Sequence, residues 1–231
     1  MSIERPSHRH GAFALVRQFA RRRSETEQCE LCGRSLATEH QHLIEPPTRK
    51  LACVCDACAV LFSGSQQKYA RVPRDVERLD DFRITDAQWD TLLIPIEMAF
   101  FFESSTAGRI VALYPSPAGP TESLLPLETW QGVVDDNPVL RRMRPDVEAL
   151  VANRMGPHRH EAGSDDRIAE YYILPIDECF KLVGVIRLHW KGLSGGTVVW
   201  REIATFFAEM RGRAERTQVA SPFRRTEAQR A

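Results

Sequence analysis

The chain has 231 residues with 31 basic and 31 acidic side chains, and it is 43% hydrophobic. That is enough for one medium globular domain and a small one, and it excludes a disordered or collagen-like polymer. The zero net charge hides an uneven distribution: residues 1–28 carry six Arg against three Glu, and residues 211–231 carry six Arg against two Glu. The body between them is acidic, so the basic ends suggest an acidic partner or nucleic acid, or solvated tails.

In chain order, GAFALVRQFARRR at 11–23 predicts a short basic amphipathic helix, within an N-terminal helix and linker over 1–27. The triple arginine Arg21–Arg23 precedes a polar SETEQCEL, so it does not read as an export leader. A cysteine-rich module spans 28–63, and a polar connector follows over 64–91. Within the connector, ITDAQWDTL predicts a helix capped by Thr85 or Asp86.

The larger domain is expected over 92–213. LLIPIEMAFFFES and GRIVALYPS read as a β-hairpin bending near 104–108, and PSPAGPTES as a loop. LETWQGVVDD predicts a helix ending at Asn137-Pro138. The spacing of Val147, Leu150 and Val151 predicts another helix starting near Arg144. NRMGPHRHEAGSDD reads as a flexible loop. IAEYYILPI and FKLVGVIRLHW read as strands, with Asp177-Glu178 as a turn between them. TVVWREIATFFAEMRGR predicts an amphipathic helix, and 214–231 a disordered Arg-rich tail. The sum is an α+β fold: a small zinc-ribbon-like module, then an antiparallel sheet of about four strands with helices on one face. The longest apolar stretch, LLIPIEMAFFF, contains Pro95 and Glu97 and is about half a membrane span.

The chemistry concentrates in the module. Five of the six cysteines fall within 30 residues, a clustering that favours a metal site in a reducing cytoplasm over a secreted disulfide framework. Cys29/Cys32 and Cys55/Cys58 are two CxxC pairs, and two such turns complete a tetrahedral sulfur cage for Zn²⁺ with no open position. Cys53, His40 and His42 add three donors. Three readings stand: Cys53 is a bystander, Cys53 replaces Cys55 as ligand, or the spare thiol and histidines hold a second, exchangeable ion such as nickel. An iron–sulfur cluster and an HNH-type nuclease using His40 or His42 fit less well, since Cys58 is followed by AVLF where the nuclease pattern needs another His or Asn.

Outside the module the candidates are weaker. His158 and His160 with Glu161 form an HxH loop that reads as solvated, and His189 as a sheet residue. Glu97 is expected to face solvent or to pair with Arg109 across the hairpin. Cys179 reads as a core thiol beside Asp177 and Glu178 rather than a nucleophile. Ser194 or Thr197 is placed to cap the last helix, where free N–H groups suit an anion. No phosphate-binding, dinucleotide, serine-hydrolase or HExxH signature is present.

The strings CELCG, EHQHL, CVCDACAVLF, FFESSTAGRIVALYPSPAGPTESLL, DVEALVANR, PIDECFKLVGVIRLHWKGLSGG and WREIATFF resemble an uncharacterised bacterial family associated with gene neighbourhoods of uptake nickel–iron hydrogenases. The resemblance implies an accessory role in hydrogenase assembly, maturation or electron transfer, with a hydrogenase subunit or maturation factor as partner. It carries no active site to transfer. The expectation is a non-enzymatic cytoplasmic docking protein or chaperone; the alternatives are a nickel or zinc metallochaperone using Cys53, His40 and His42, and a nucleic-acid-binding zinc ribbon.

Overall fold

The computed structural model describes residues 27–64, 67–123, 127–155, 169–192 and 195–220. The fold is α+β with two antiparallel sheets and five α-helices among those residues. The small sheet has the order β2-β1-β3, from β1 (Gln41–Glu45), β2 (Lys50–Val54) and β3 (Ala70–Arg71). The large sheet has the order β4-β9-β8-β5-β6-β7. Its strands are β4 (Glu77–Arg78), β5 (Met98–Ser104), β6 (Arg109–Ser116), β7 (Gly119–Ser123), β8 (Glu148–Asn153) and β9 (Glu170–Pro175). The helices are α1 (Asp56–Leu61), α2 (Asp86–Thr91), α3 (Leu127–Asp136), α4 (Ile176–His189) and α5 (Gly196–Ala220), with a 3-10 turn at Pro138–Arg142.

The central strands are apolar on both faces because both faces of the sheet are covered. Successive side chains alternate sides. Met98, Phe100 and Phe102 of β5 pack with Val111, Val151, Tyr172 and Leu174 against α4 and α5. Ala99 and Phe101 pack with Leu150, Ala152 and Ile173 against Trp89 of α2 and Trp130 of α3. Phe101 stacks on Trp130 at 5.1 Å. The sheet therefore has six strands rather than four, and helices on both faces rather than one.

The β5–β6 hairpin matches its expected bend, with Ser104 opposite Arg109 and Gly108 at φ +62°. Thr85, not Asp86, caps α2 in a reciprocal capping box with Gln88. Asn137 ends α3, and its buried side chain holds the connector by accepting from Arg83 N and donating to Arg83 O.

Four readings change. PSPAGPTES is a second hairpin, β6–β7, turning at Pro117-Ala118, with Pro115 opposite Pro120 beyond the reach of β5. Residues 148–153 are the buried strand β8, not a helix: an apolar run covered on both sides has no period that separates the two. FKLVGVIRLHW belongs to helix α4, whose first turn holds Asp177 and Glu178, and His189 stands in its last turn, half-buried. Helix α5 runs to Ala220, past the point where a disordered tail was expected, because Met210 and Ala214 are buried and Arg211 and Arg213 pair with Glu170 and Glu178.

The connector contributes an edge strand to each sheet, β3 beside β1 and β4 beside β9, with Val72 and Val76 buried in the main core. Gly195 closes the α4–α5 loop at φ +85°, where a Cβ would meet Val199 at 2.8 Å and the Trp190 ring at 3.1 Å. No helix among the described residues is long and apolar enough to cross a membrane. The predicted helix at 11–23, the His158/His160 loop with Glu161, and Ser194 lie outside the described residues.

Candidate metal centre

Each CxxC pair is set by a different local device. In the first, the Cys29 carbonyl accepts from Gly33 N at 2.8 Å, Cys29 N donates to Arg34 O at 2.7 Å, and Gly33 takes the left-handed conformation at φ +74° that the turn requires. In the second, Cys55 is the N-cap of α1 and Cys58 lies in its first turn. The two are tied together through Glu30: its backbone N donates to Cys53 O at 2.9 Å, and its carboxylate accepts from Cys53 N at 2.8 Å.

The four sulfurs of Cys29, Cys32, Cys55 and Cys58 all lie within 4.8 Å of one another, so these side chains could hold one metal ion. Cys32 Sγ and Cys55 Sγ are 3.8 Å apart, and a tetrahedral site with ~2.3 Å metal–sulfur bonds has sulfurs about 3.8 Å apart. Burial pushes Cys29 up, but N–H groups of Cys55, Cys32 and Leu31 donate to its sulfur and bring it down to about 6. Burial and the neighbouring sulfurs push Cys58 up to about 12. A cation is what lets four thiolates share so small a space.

Cys53 is not in that cage. It stands opposite His42 in the β1–β2 register, and His40 lies two residues before His42, so all three meet on one face of the small sheet. Their ligand atoms form a second group, also within 4.8 Å of one another. His42 Nδ1 is 2.5 Å from the Asp177 carboxylate, the interaction that chiefly raises the His42 pKa. His40 Nδ1 is 3.0 Å from Ala37 O and 3.6 Å from the Glu27 carboxylate. Burial, then Glu27, Glu30 and Asp177, push the Cys53 thiol up. Sequence reasoning placed Asp177 in a turn and gave it no role here, because its partner His42 lies 135 residues away and nothing local signals the pairing.

The remaining candidates are structural. Cys179 is fully buried, burial raises its pKa well above that of a free thiol, and its sulfur sits 3.7 Å from Pro175 O. Glu97 pairs with Arg154 at 3.3 Å, while Arg109 pairs with Glu122 at 2.6 Å, so the expected cross-hairpin pair does not form. Thr197 lies within the first turn of α5.

The cage also fixes what surrounds it. Leu43, Ala52, Val54 and Ala59 form a small core with Cys29 and Cys58. At the end of α1, beyond Cys58 and the buried Ala59, Val60, Leu61 and the C-cap Phe62 are exposed at 66%, 68% and 42%. No curated protein and no solved structure matches the chain. What does match is a sequence family covering the cysteine module and the large sheet alike, residues 28–214, and the chain belongs to it: the family of unknown function DUF5947.

Proposed function

We propose that this protein is a non-enzymatic accessory factor, a docking protein whose recognition surface is held in shape by a structural zinc ion. Zinc suits the four-thiolate donor set and its tetrahedral spacing, and a closed site of this kind organises a fold rather than performing chemistry. The observation that carries the reading is the exposed Val60-Leu61-Phe62 run that ends α1, the helix whose N-cap Cys55 and first-turn Cys58 are two of the four candidate ligands. Three large apolar side chains left exposed on a short helix suit burial against a partner protein. The motif resemblance nominates that partner as a nickel–iron hydrogenase subunit or maturation factor, in the cytoplasm.

The test is affinity capture from a hydrogenase-producing strain, comparing the full chain with a Val60→Ser, Leu61→Ser, Phe62→Ser variant that keeps its zinc. Copurification of a hydrogenase subunit, reduced at least about 10-fold in the variant, supports the reading. Normal hydrogenase metal content and activity in a deletion strain counts against it.

A further inference from the structure

The two histidines of the second cluster face each other through their Nε2 atoms. Asp177 is an acceptor, so the His42 Nδ1 that it contacts carries the hydrogen. Ala37 O and Glu27 are acceptors too, so the His40 Nδ1 carries the hydrogen there. When both rings are neutral the lone pairs are left on the two Nε2 atoms, which are 3.2 Å apart. Two lone pairs at that distance repel unless a proton or a metal cation lies between them. Two imidazole ligands on a tetrahedral ion, with ~2.0 Å metal–nitrogen bonds, stand about 3.3 Å apart. The sulfur of Cys53 completes a three-donor face.

From this geometry we propose that His40, His42 and Cys53 form a second metal site, distinct from the four-cysteine cage, for an exchangeable divalent d-block cation. Two imidazoles and one thiolate are the donor set that zinc, cobalt and nickel share. Three protein ligands leave a fourth position for water or an incoming ligand, which separates this site from the closed cage. Asp177 is its positioning residue: by accepting from His42 Nδ1–H it fixes the tautomer and the ring, the arrangement that tunes histidine ligands elsewhere. Glu27 and Glu30 add negative charge around the Cys53 sulfur. The site lies in a seam. His42, Cys53 and Ile44 occupy the face of the small sheet that turns toward the large domain, and Asp177 comes from the first turn of α4. The ion would therefore stand at the joint of the two bodies. This proposal does not rest on the docking reading and can fail while that reading stands.

The experiment is an anaerobic cobalt(II) titration of the full chain carrying zinc in the cage, with both metals quantified. One cobalt is expected to bind beside one retained zinc, with tetrahedral d–d absorption and charge transfer from a single thiolate. Cys53→Ser should remove the charge-transfer band, and the double variant His40→Ala, His42→Ala should abolish the second equivalent while the zinc stays. Asp177→Asn should weaken cobalt about 10- to 100-fold without changing the zinc content. Retained zinc in each variant shows that the module is folded. The proposal is overturned if the wild type takes up no cobalt beyond one zinc. It is equally overturned if cobalt displaces the zinc with a four-thiolate spectrum, or if the histidine variant binds as the wild type does. In those cases the histidine pair shares a proton and nothing more.

Discussion

The small body around β1–β3 and the large body around β4–β9 solve the same problem with different means. The large sheet buries aromatic and branched side chains on both of its faces, and Phe100, Phe101, Phe102, Tyr172 and Phe207 are all almost completely shielded. The small body has a core of six buried residues, and two of them, Cys29 and Cys58, are candidate ligands. A core of that size does not offset the chain entropy of some 35 ordered residues. Hydrophobic burial alone suffices for one body, while the other sets four cysteines that could hold an ion in and around its small core.

The largest effect expected is therefore selective. Stripping the metal with a chelator, or Cys58→Ser, should unfold residues 28–63 and leave the six-stranded sheet intact. Amide hydrogen exchange reads both at once: protection of Leu43 and Val54 collapses while that of Val111 persists. Unchanged protection at Leu43 without metal would erase the distinction between the bodies. The reverse experiment is Phe101→Ala, which removes the ring stacked on Trp130 and should cost about 3–5 kcal/mol in denaturant melts with cage metal content unchanged. Ile44→Ala tests the junction. Ile44 sits on β1 but belongs to the main core, so about 2–4 kcal/mol should be lost and both bodies should feel it. Smallest is Thr85→Ala, which breaks the α2 capping box and should cost about 1 kcal/mol in the large body alone.

Legibility in the sequence follows the same division. The cage is made of two short turns whose residues are three apart, so the CxxC spacing announces it. The β5–β6 hairpin and the capped α2 are equally local and are read correctly. Helix α4 was legible but misread: Ile176, Cys179, Leu182, Val183 and Ile186 keep helical spacing, and Pro175 followed by Asp177-Glu178 is a helix start, yet the LVGVI run resembles a strand. Strand β8 offers no comparable cue, since burial on both faces erases the alternation that marks a half-exposed strand. The Asp177–His42 contact belongs to a third kind. It exists only because α4 packs beside the small sheet, and no window of sequence contains both partners.

The connector has a mechanical consequence. Residues 70–71 and 77–78 are paired into different sheets, and Val72 and Val76 between them are both buried. Such a segment is a strap, not a swivel. The α1 surface and the large sheet are held at one fixed bearing, so a partner touching both would measure a set distance. Lengthening the strap by a few residues between Val72 and Val76 would alter that distance while sparing every residue of the cage.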